Sequence, residues 1–276
     1  MAGKLYLIGT PIGNLGDVTR RAAEVLASLD ALYCEDTRVT SKLLAHLGIS
    51  LPLRALSDDH SDQRWAEPVQ LALQGKRVGF VTDAGMPGAS DPGRRLCRAA
   101  WEAGVTPAVI PGPSSVSTLL AACPFIDSSF LFVGFAPRKA GERRDFCARI
   151  AAADDPCLFF ESPLRVHALL GELCAVLEPE RQLLIGREMT KLHEQFVLFF
   201  AGEWAEITER VPALGEFTVA VAARPEPVQL HGSEEALAAL QRLTGAGFSK
   251  RDAVKALAAV WEMPANELKK LSYGDG

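Results

Sequence analysis

The chain lacks any long apolar run. Its longest hydrophobic stretches, such as residues 130–135 and 196–201, fall far short of the roughly 20 residues a membrane span needs. No secretory segment opens it either, because MAGKLYLIGTPIGN meets proline and glycine too early, and a cytoplasmic protein is expected. No C-x-x-C pair is present. Cys34, Cys97, Cys123, Cys147, Cys157 and Cys174 stand singly, mostly among apolar neighbours, which disfavours a zinc knuckle or redox pair and suggests buried thiols acting as small hydrophobes. The five histidines show no H-E-x-x-H spacing, so no metal is expected. Charge of one sign is also missing: 29 basic against 34 acidic side chains leave a net charge of −5. That balance argues against a broad nucleic-acid-gripping face but leaves room for a small basic patch. What remains, 276 residues at 48% hydrophobic and 23% charged, is an ordinary globular composition of one large or two small domains.

Short apolar runs alternate with helical patterns. Residues 4–9 read as a strand, 17–29 as a helix with Asp17 as its N-cap, 31–34 as a strand and 41–47 as a helix closed by Gly48. Weak strand character at 54–56 precedes a helix at 65–73, a strong strand at 77–81, a helix at 91–103 and a strand at 106–110. This alternation predicts a parallel sheet with helices on both faces. After Pro111-Gly112-Pro113 the pattern is less regular. Helices are expected at 114–122, 143–153 and 164–177, with strands at 130–135, 157–160, 183–185, 195–200 and 217–222. That half reads as a second α/β domain with some antiparallel pairing. Beyond Arg224-Pro225-Glu226-Pro227 only helical patterns appear, at 234–243, 250–261 and 266–271. The expected division is therefore 1–112, 113–226 and a helical tail at 227–276.

Three Gly/Pro loops follow strands in the first half: residues 9–16, 83–93 and 111–115. Ligands of open parallel sheets bind beyond the carboxyl ends of the strands, where such loops gather. Any one loop reads most simply as a turn; three in equivalent positions point to a pocket. The Walker, G-x-G-x-x-G and G-x-S-x-G signatures are absent, which disfavours nucleotide hydrolysis, a Rossmann cofactor and a serine hydrolase. A sulfonium cofactor held mainly by backbone groups suits these loops better.

Three polar clusters accompany them. Glu35-Asp36-Thr37-Arg38 follows the second strand and reads either as a helix-start cap or as a substrate-facing group. Arg187-Glu188-Met189-Thr190-Lys191 supplies a cation and an acid, in the cleft or as a solvated ion pair. Residues 137–144 hold four cations and one acid, Arg138, Lys139, Arg143 and Arg144 against Glu142. They form either a solvated loop or a phosphate-contacting patch, with Phe135 beside them as one stacking surface.

TPIGNLGD (10–17), EDTR (35–38), DAGMPGASDPG (83–93), PGPSS (111–115), GFAPRKAGERR (134–144), FFESP (159–163) and REMTKLHE (187–194) resemble, in order and spacing, the tetrapyrrole methylase superfamily. The likeness is to its ribosomal-RNA-modifying branch and runs from about residue 4 to 222. Met86 and Leu164 depart from residues common there, as do SDDHSDQ (57–63) and VLFFAG (197–202). The resemblance implies two α/β domains with S-adenosylmethionine folded in the cleft between them. It also implies a homodimer, and transfer of a methyl group to a cytidine ribose 2′-oxygen in the decoding region of 16S rRNA within the small ribosomal subunit. By position, Pro11, Asp83, Ala84 and Gly85 would approach the methionine end of the cofactor. Ser114 and Ser115 would hold its carboxylate, and Phe160, Glu161 and Phe217 would line the adenosine side. Glu35 and Asp36 are the candidate bases or hydroxyl orienters, with Arg38 and Lys191 as electrostatic partners and the basic segment as RNA contact. A small-molecule methylase and a non-catalytic RNA-binding assembly factor are the competing readings.

Overall fold

Strands β1 (Lys4–Ile8), β2 (Ala31–Cys34), β3 (Leu53–Ala55), β4 (Arg77–Val81) and β5 (Ala108–Ile110) alternate with helices α1 (Arg20–Leu26), α2 (Thr37–His46), α3 (Asp62–Leu73) and α4 (Arg94–Glu102). The computed structural model describes residues 3–88, 92–225, 233–261 and 268–269. The five strands make one sheet in the order β3-β2-β4-β1-β5, with every pair parallel. Alternate residues of each strand feed two cores, as a sheet covered on both faces requires. Leu5, Leu7, Val78 and Phe80 pack with Trp65 and Val69 of α3 and Leu96 of α4. Tyr6, Ile8, Leu32 and Val81 pack with Ala22 and Leu26 of α1 and Leu44 of α2.

Several helix starts differ from the expectation by two to four residues, and for two of them the reason is local. Asp17 is not the cap of α1. It closes a 3-10 turn, Leu15–Asp17, in which Asn14 accepts from Gly16 N at 2.9 Å, and the cap falls to Thr19, which accepts from Ala22 N at 3.1 Å. Helix α2 begins at Thr37 rather than 41 because the Asp36 carboxylate accepts from Arg38 N at 2.8 Å and satisfies a first-turn donor.

The second half carries α5 (Ser115–Ala122), β6 (Leu131–Phe135), α6 (Ala140–Ala151), β7 (Cys157–Glu161), α7 (Val166–Cys174), β8 (Gln182–Arg187), β9 (Gln195–Phe200), α8 (Trp204–Arg210) and β10 (Phe217–Val221). Its sheet runs β6-β7-β10-β8-β9, parallel at β6–β7 and antiparallel elsewhere. Phe159, Ile185 and Val219 pack with Phe146, Leu169, Leu173 and Ile207 on one face. Leu158, Leu184 and Ala220 pack with Leu119 of α5 on the other. Helix α8, two turns long, offers too little periodicity to be read in advance.

Both sheets belong to one compact unit, residues 1–224, and residues 225–276 form another. In the latter, α9 (Ser233–Gly245) and α10 (Lys250–Val260) pack through Ala236, Leu240, Val254 and Leu257. The helix expected at 266–271 lies outside the described residues except for 268–269. Burial pushes the Cys147 thiol up to about 11 and Cys174 to about 12, as expected of cysteines that only pack.

Candidate active site

The strand order sets the site. β2, β4, β1 and β5 are consecutive neighbours, and their carboxyl ends carry the EDTR segment and the three Gly/Pro loops in that order. Backbone pairing locks the loops together: Thr10 N donates to Gly85 O at 2.9 Å, Gly85 N returns to Thr10 O at 3.2 Å, and Gly9 N donates to Ile110 O at 3.0 Å. Gly85 takes φ +75, open to glycine at no steric cost. Gly9 and Gly112 approach so closely that a Cβ on either would sit 2.8 Å from the other's backbone.

These loops form one wall of a cavity of about 330 Å³, within the range of small-ligand sites. Ile12, Ala84, Gly85, Met86, Ser114, Ser115 and Val116 line that side. The other wall comes from the second sheet and its turns: Phe135, Phe160, Glu161, Ser162, Pro163, Met189, Gly215, Glu216, Phe217 and Thr218. Ala84, Gly85, Ser114, Ser115, Phe160, Glu161 and Phe217 thus meet in one cleft. Pro11 is buried beside it, with Ile12 on the wall instead, and Asp83 faces the EDTR segment. Met189, Gly215 and Glu216 have no ligand signature in the sequence; only the hint that REMTK follows a strand end pointed there.

Glu161 is the cleft's most informative group. Its side chain is fully buried, pairs with Arg165 at 2.5 Å and accepts from Ser162 N at 2.6 Å. Its Oε2 has no partner among the described residues. A buried carboxylate oxygen left unmatched is costly unless a ligand hydroxyl or amine donates to it. Across the cleft, Ser114 stands at the N-cap of α5 without a side-chain cap bond, so first-turn N–H groups remain for an anionic group.

On the rim, three carboxylates converge. Asp36 N donates to Asp83 Oδ1 at 3.0 Å, and Asp83 N donates to Glu35 Oε2 at 3.4 Å. Burial, and then the neighbouring acids, push the Glu35 carboxyl above its usual range, and burial also raises Asp83. Asp36 is the opposite case. Hydrogen bonds from the Arg38 side chain at 2.5 and 3.0 Å, and then from its backbone, hold it down to about 2. The cap reading therefore applies to Asp36 and Arg38, while Glu35 and Asp83 hold their protons more tightly than ordinary carboxylates.

Lys191 sits elsewhere, between Glu188 at 2.8 Å and Glu216 at 3.1 Å. Burial draws its ammonium down, but these two partners outweigh burial and hold it above the usual lysine value. Its turn carries two non-glycine residues at positive φ, Glu188 (49) and Thr190 (66), the latter a strained place for a β-branched residue. Thr190 Oγ1 accepts from Asn14 N at 3.1 Å, and Glu188 Oε1 accepts from Glu216 N at 2.9 Å. The turn thus joins the first Gly loop to the Gly215–Phe217 wall. The basic segment also divides: Arg143 is committed to Glu172 at 2.5 and 2.7 Å and Lys139 pairs with Glu142 at 3.0 Å, whereas Arg138 and Arg144 form no ion pair with a described residue.

Two α/β lobes closing on a cleft of Gly/Pro loops define a class. The sequence profile of the Tetrapyrrole (Corrin/Porphyrin) Methylases matches residues 4–205. The crystal structure of the methyltransferase CobJ superposes with a TM-score of 0.60 at 20% identity, covering 82% of this chain and 97% of that one. Uroporphyrin-III C-methyl transferase from Thermus thermophilus, complexed with S-adenyl homocysteine, gives 0.55 at 19% identity, covering 79% and 97%. At those identities the likeness is one of fold. Sequence relatives narrow the class. The Ribosomal RNA small subunit methyltransferase I of Synechocystis is 36% identical over 98% of this chain and 97% of its own length. That of Vibrio cholerae is 44% identical over 69% of this chain and 66% of its own. The chain belongs to the tetrapyrrole methylase family, in its ribosomal RNA small subunit methyltransferase I branch. No helix among the described residues is long and apolar enough to cross a membrane.

Proposed function

We propose that the protein is an S-adenosylmethionine-dependent methyltransferase that methylates the ribose 2′-oxygen of a cytidine in the decoding region of 16S rRNA. It would act in the cytoplasm, as a homodimer, on the small ribosomal subunit. The observation that carries the cofactor part is the cleft between the lobes, walled by the β1, β4 and β5 loops and holding one unmatched buried oxygen on Glu161. The residues present fit the cofactor: α5's first turn suits its carboxylate, Glu161 Oε2 an adenosine donor, and Phe160 and Phe217 its apolar surfaces. When bound, S-adenosylmethionine supplies an electrophilic methyl group.

The chain's own residues align and deprotonate the acceptor. Alignment by a preformed cleft supplies much of any such acceleration. A ribose hydroxyl is a poor nucleophile, and a carboxylate whose affinity for protons is raised is the better base. Glu35 meets that requirement, and Asp36, Asp83 and Arg38 orient the rim around it. Lys191 acts through Glu188 and Glu216 as a brace of the cleft wall. Arg138 and Arg144 contact phosphate, with Lys139 and Arg143 contributing less because carboxylates already hold them.

The test offers tritium-labelled cofactor with small ribosomal subunits or with a carboxylated porphyrin, followed by mapping of ribose methylation. The reading predicts label in 16S rRNA at a cytidine 2′-oxygen. Label on the porphyrin alone, or none on either with the cofactor bound, overturns it.

A further inference from the structure

Beside the cleft lies a second hollow, open and about 610 Å³, lined by Phe135, Ala136, Arg138, Ser162, Leu164 and Arg165. It shares Phe135 and Ser162 with the first. Its aromatic surface is built deliberately into the strand. Phe132 and Phe135 are three residues apart, so a regular strand would turn them to opposite faces. Instead the register of β6 on β7 shifts between them, Gly134 takes φ +72, and both rings meet Phe160 edge-on at 4.9 and 5.3 Å. Such a bulge re-aims a side chain. Here it brings Phe135, 54% exposed, to the mouth of the hollow, where Leu164, 95% exposed, adds a second apolar surface.

The frame is tied by hydrogen bonds and its other cation is neutralised. Arg165 donates to Ala136 O at 3.2 Å, to Pro137 O at 3.3 Å and to Ser162 Oγ at 3.3 Å, and it pairs with Glu161. Arg138 has no such anchor: it is exposed and forms no ion pair with a described residue. The lining contains no carboxylate. An aromatic ring, an aliphatic side chain and an unneutralised guanidinium around one hollow complement a planar base with an attached phosphate.

We propose that this hollow is a nucleotide subsite, in which an unpaired nucleotide flanking the methylated one stacks its base on Phe135 and Leu164 and sets its phosphate on Arg138. The inference rests on the RNA reading above and adds a contact that the methyl transfer itself does not require. Stacking of this kind tolerates any base, so the subsite selects an unpaired strand rather than a sequence.

The experiment measures methyl transfer to small ribosomal subunits from cells lacking this protein, with donor affinity by calorimetry. Arg138→Ala and Leu164→Ala each raise KM for subunits about fivefold or more, with donor affinity within twofold of wild type. Phe135→Ala does the same to KM, and Phe135→Trp, which keeps a stacking ring, returns it to within twofold. KM within twofold of wild type for both Arg138→Ala and Leu164→Ala, or equal damage from the two Phe135 variants, overturns the subsite while leaving the RNA reading intact. An effect seen with subunits but lost with protein-free 16S rRNA assigns the hollow to a ribosomal protein and also overturns it. A wild-type protein that labels no rRNA defeats the RNA reading itself, and the subsite with it.

Discussion

Replacing Gly9 by alanine tests whether close backbone approach builds the cleft. The new Cβ would lie 2.8 Å from Gly112 Cα and N and 2.6 Å from Met86 Sδ. The Met86 side chain can swing away, but the Gly112 backbone cannot. The contact falls about 0.6 Å short of the 3.4 Å at which ordinary packing begins. Gly9 does not occupy the left-handed region, so the penalty is steric and not conformational. Overpacking of this kind costs roughly 1–3 kcal/mol. At about 2–4 °C per kcal/mol for a unit of this size, the melting temperature falls by roughly 2–12 °C. Because the strain parts the β1 and β5 loops, the donor site should suffer as well, with S-adenosylmethionine bound about tenfold or more weakly by calorimetry. Gly112→Ala should behave alike. Gly141→Ala, in α6 with nothing within 4 Å of the added atom, is the control and should be neutral or slightly stabilising. Gly9→Ala and Gly112→Ala variants that bind the donor and melt like wild type would refute the claim that backbone contact shapes this wall.

Glu35→Gln should lower turnover by roughly 10²–10⁴-fold, the range of general-base losses, with donor affinity nearly unchanged; full activity removes Glu35 as the base. Because folding raises the Glu35 pKa, the stability gained from its protonated form is complete below the unfolded carboxylate range and is lost as pH rises through the folded value. Chemical denaturation of Glu35→Gln across that window should therefore show a flatter profile and higher stability near neutrality than wild type. For Asp36, held to about 2, the sign is reversed: its contribution is present above the unfolded value and disappears as pH falls through 2, and Asp36→Asn should abolish that acid limb. Glu161→Ala removes the unmatched acceptor and should weaken S-adenosylmethionine binding about tenfold or more by calorimetry. Arg143→Ala should lower the melting temperature by loosening α6 from Glu172, whereas Arg138→Glu and Arg144→Glu should spare stability and reduce the salt dependence of rRNA binding.

The first wall of the cleft was legible because its determinants are local. Glycine and proline after β1, β4 and β5 mark loops of unusual backbone, and parallel alternation brings those strand ends to one edge. The strand order β4-β1-β5, which makes the three loops neighbours, depends on crossovers that no single segment encodes. The second wall was only half legible. Phe160, Glu161 and Phe217 entered only through the family resemblance, and Met189, Gly215 and Glu216 enter through turns set by tertiary packing. Lys191 and Arg143 show the same limit. The local pair of Lys191 with Glu188 was open to reading, but its second partner Glu216, like Glu172 for Arg143, lies far along the chain. Asp17 and Thr19 mark the local limit. Both can cap a helix, and the choice between them fell to Asn14, whose side chain closes the preceding turn.

A crystal structure with S-adenosylhomocysteine decides whether the Gly/Pro loops and the second sheet together hold the methyl donor. The molecule should lie in the cleft, touching Ala84–Met86 and Phe217, with its carboxylate at the start of α5 and a donor group within hydrogen-bonding distance of Glu161 Oε2. Density on another surface, or a cleft that stays empty at saturating concentration, would contradict it.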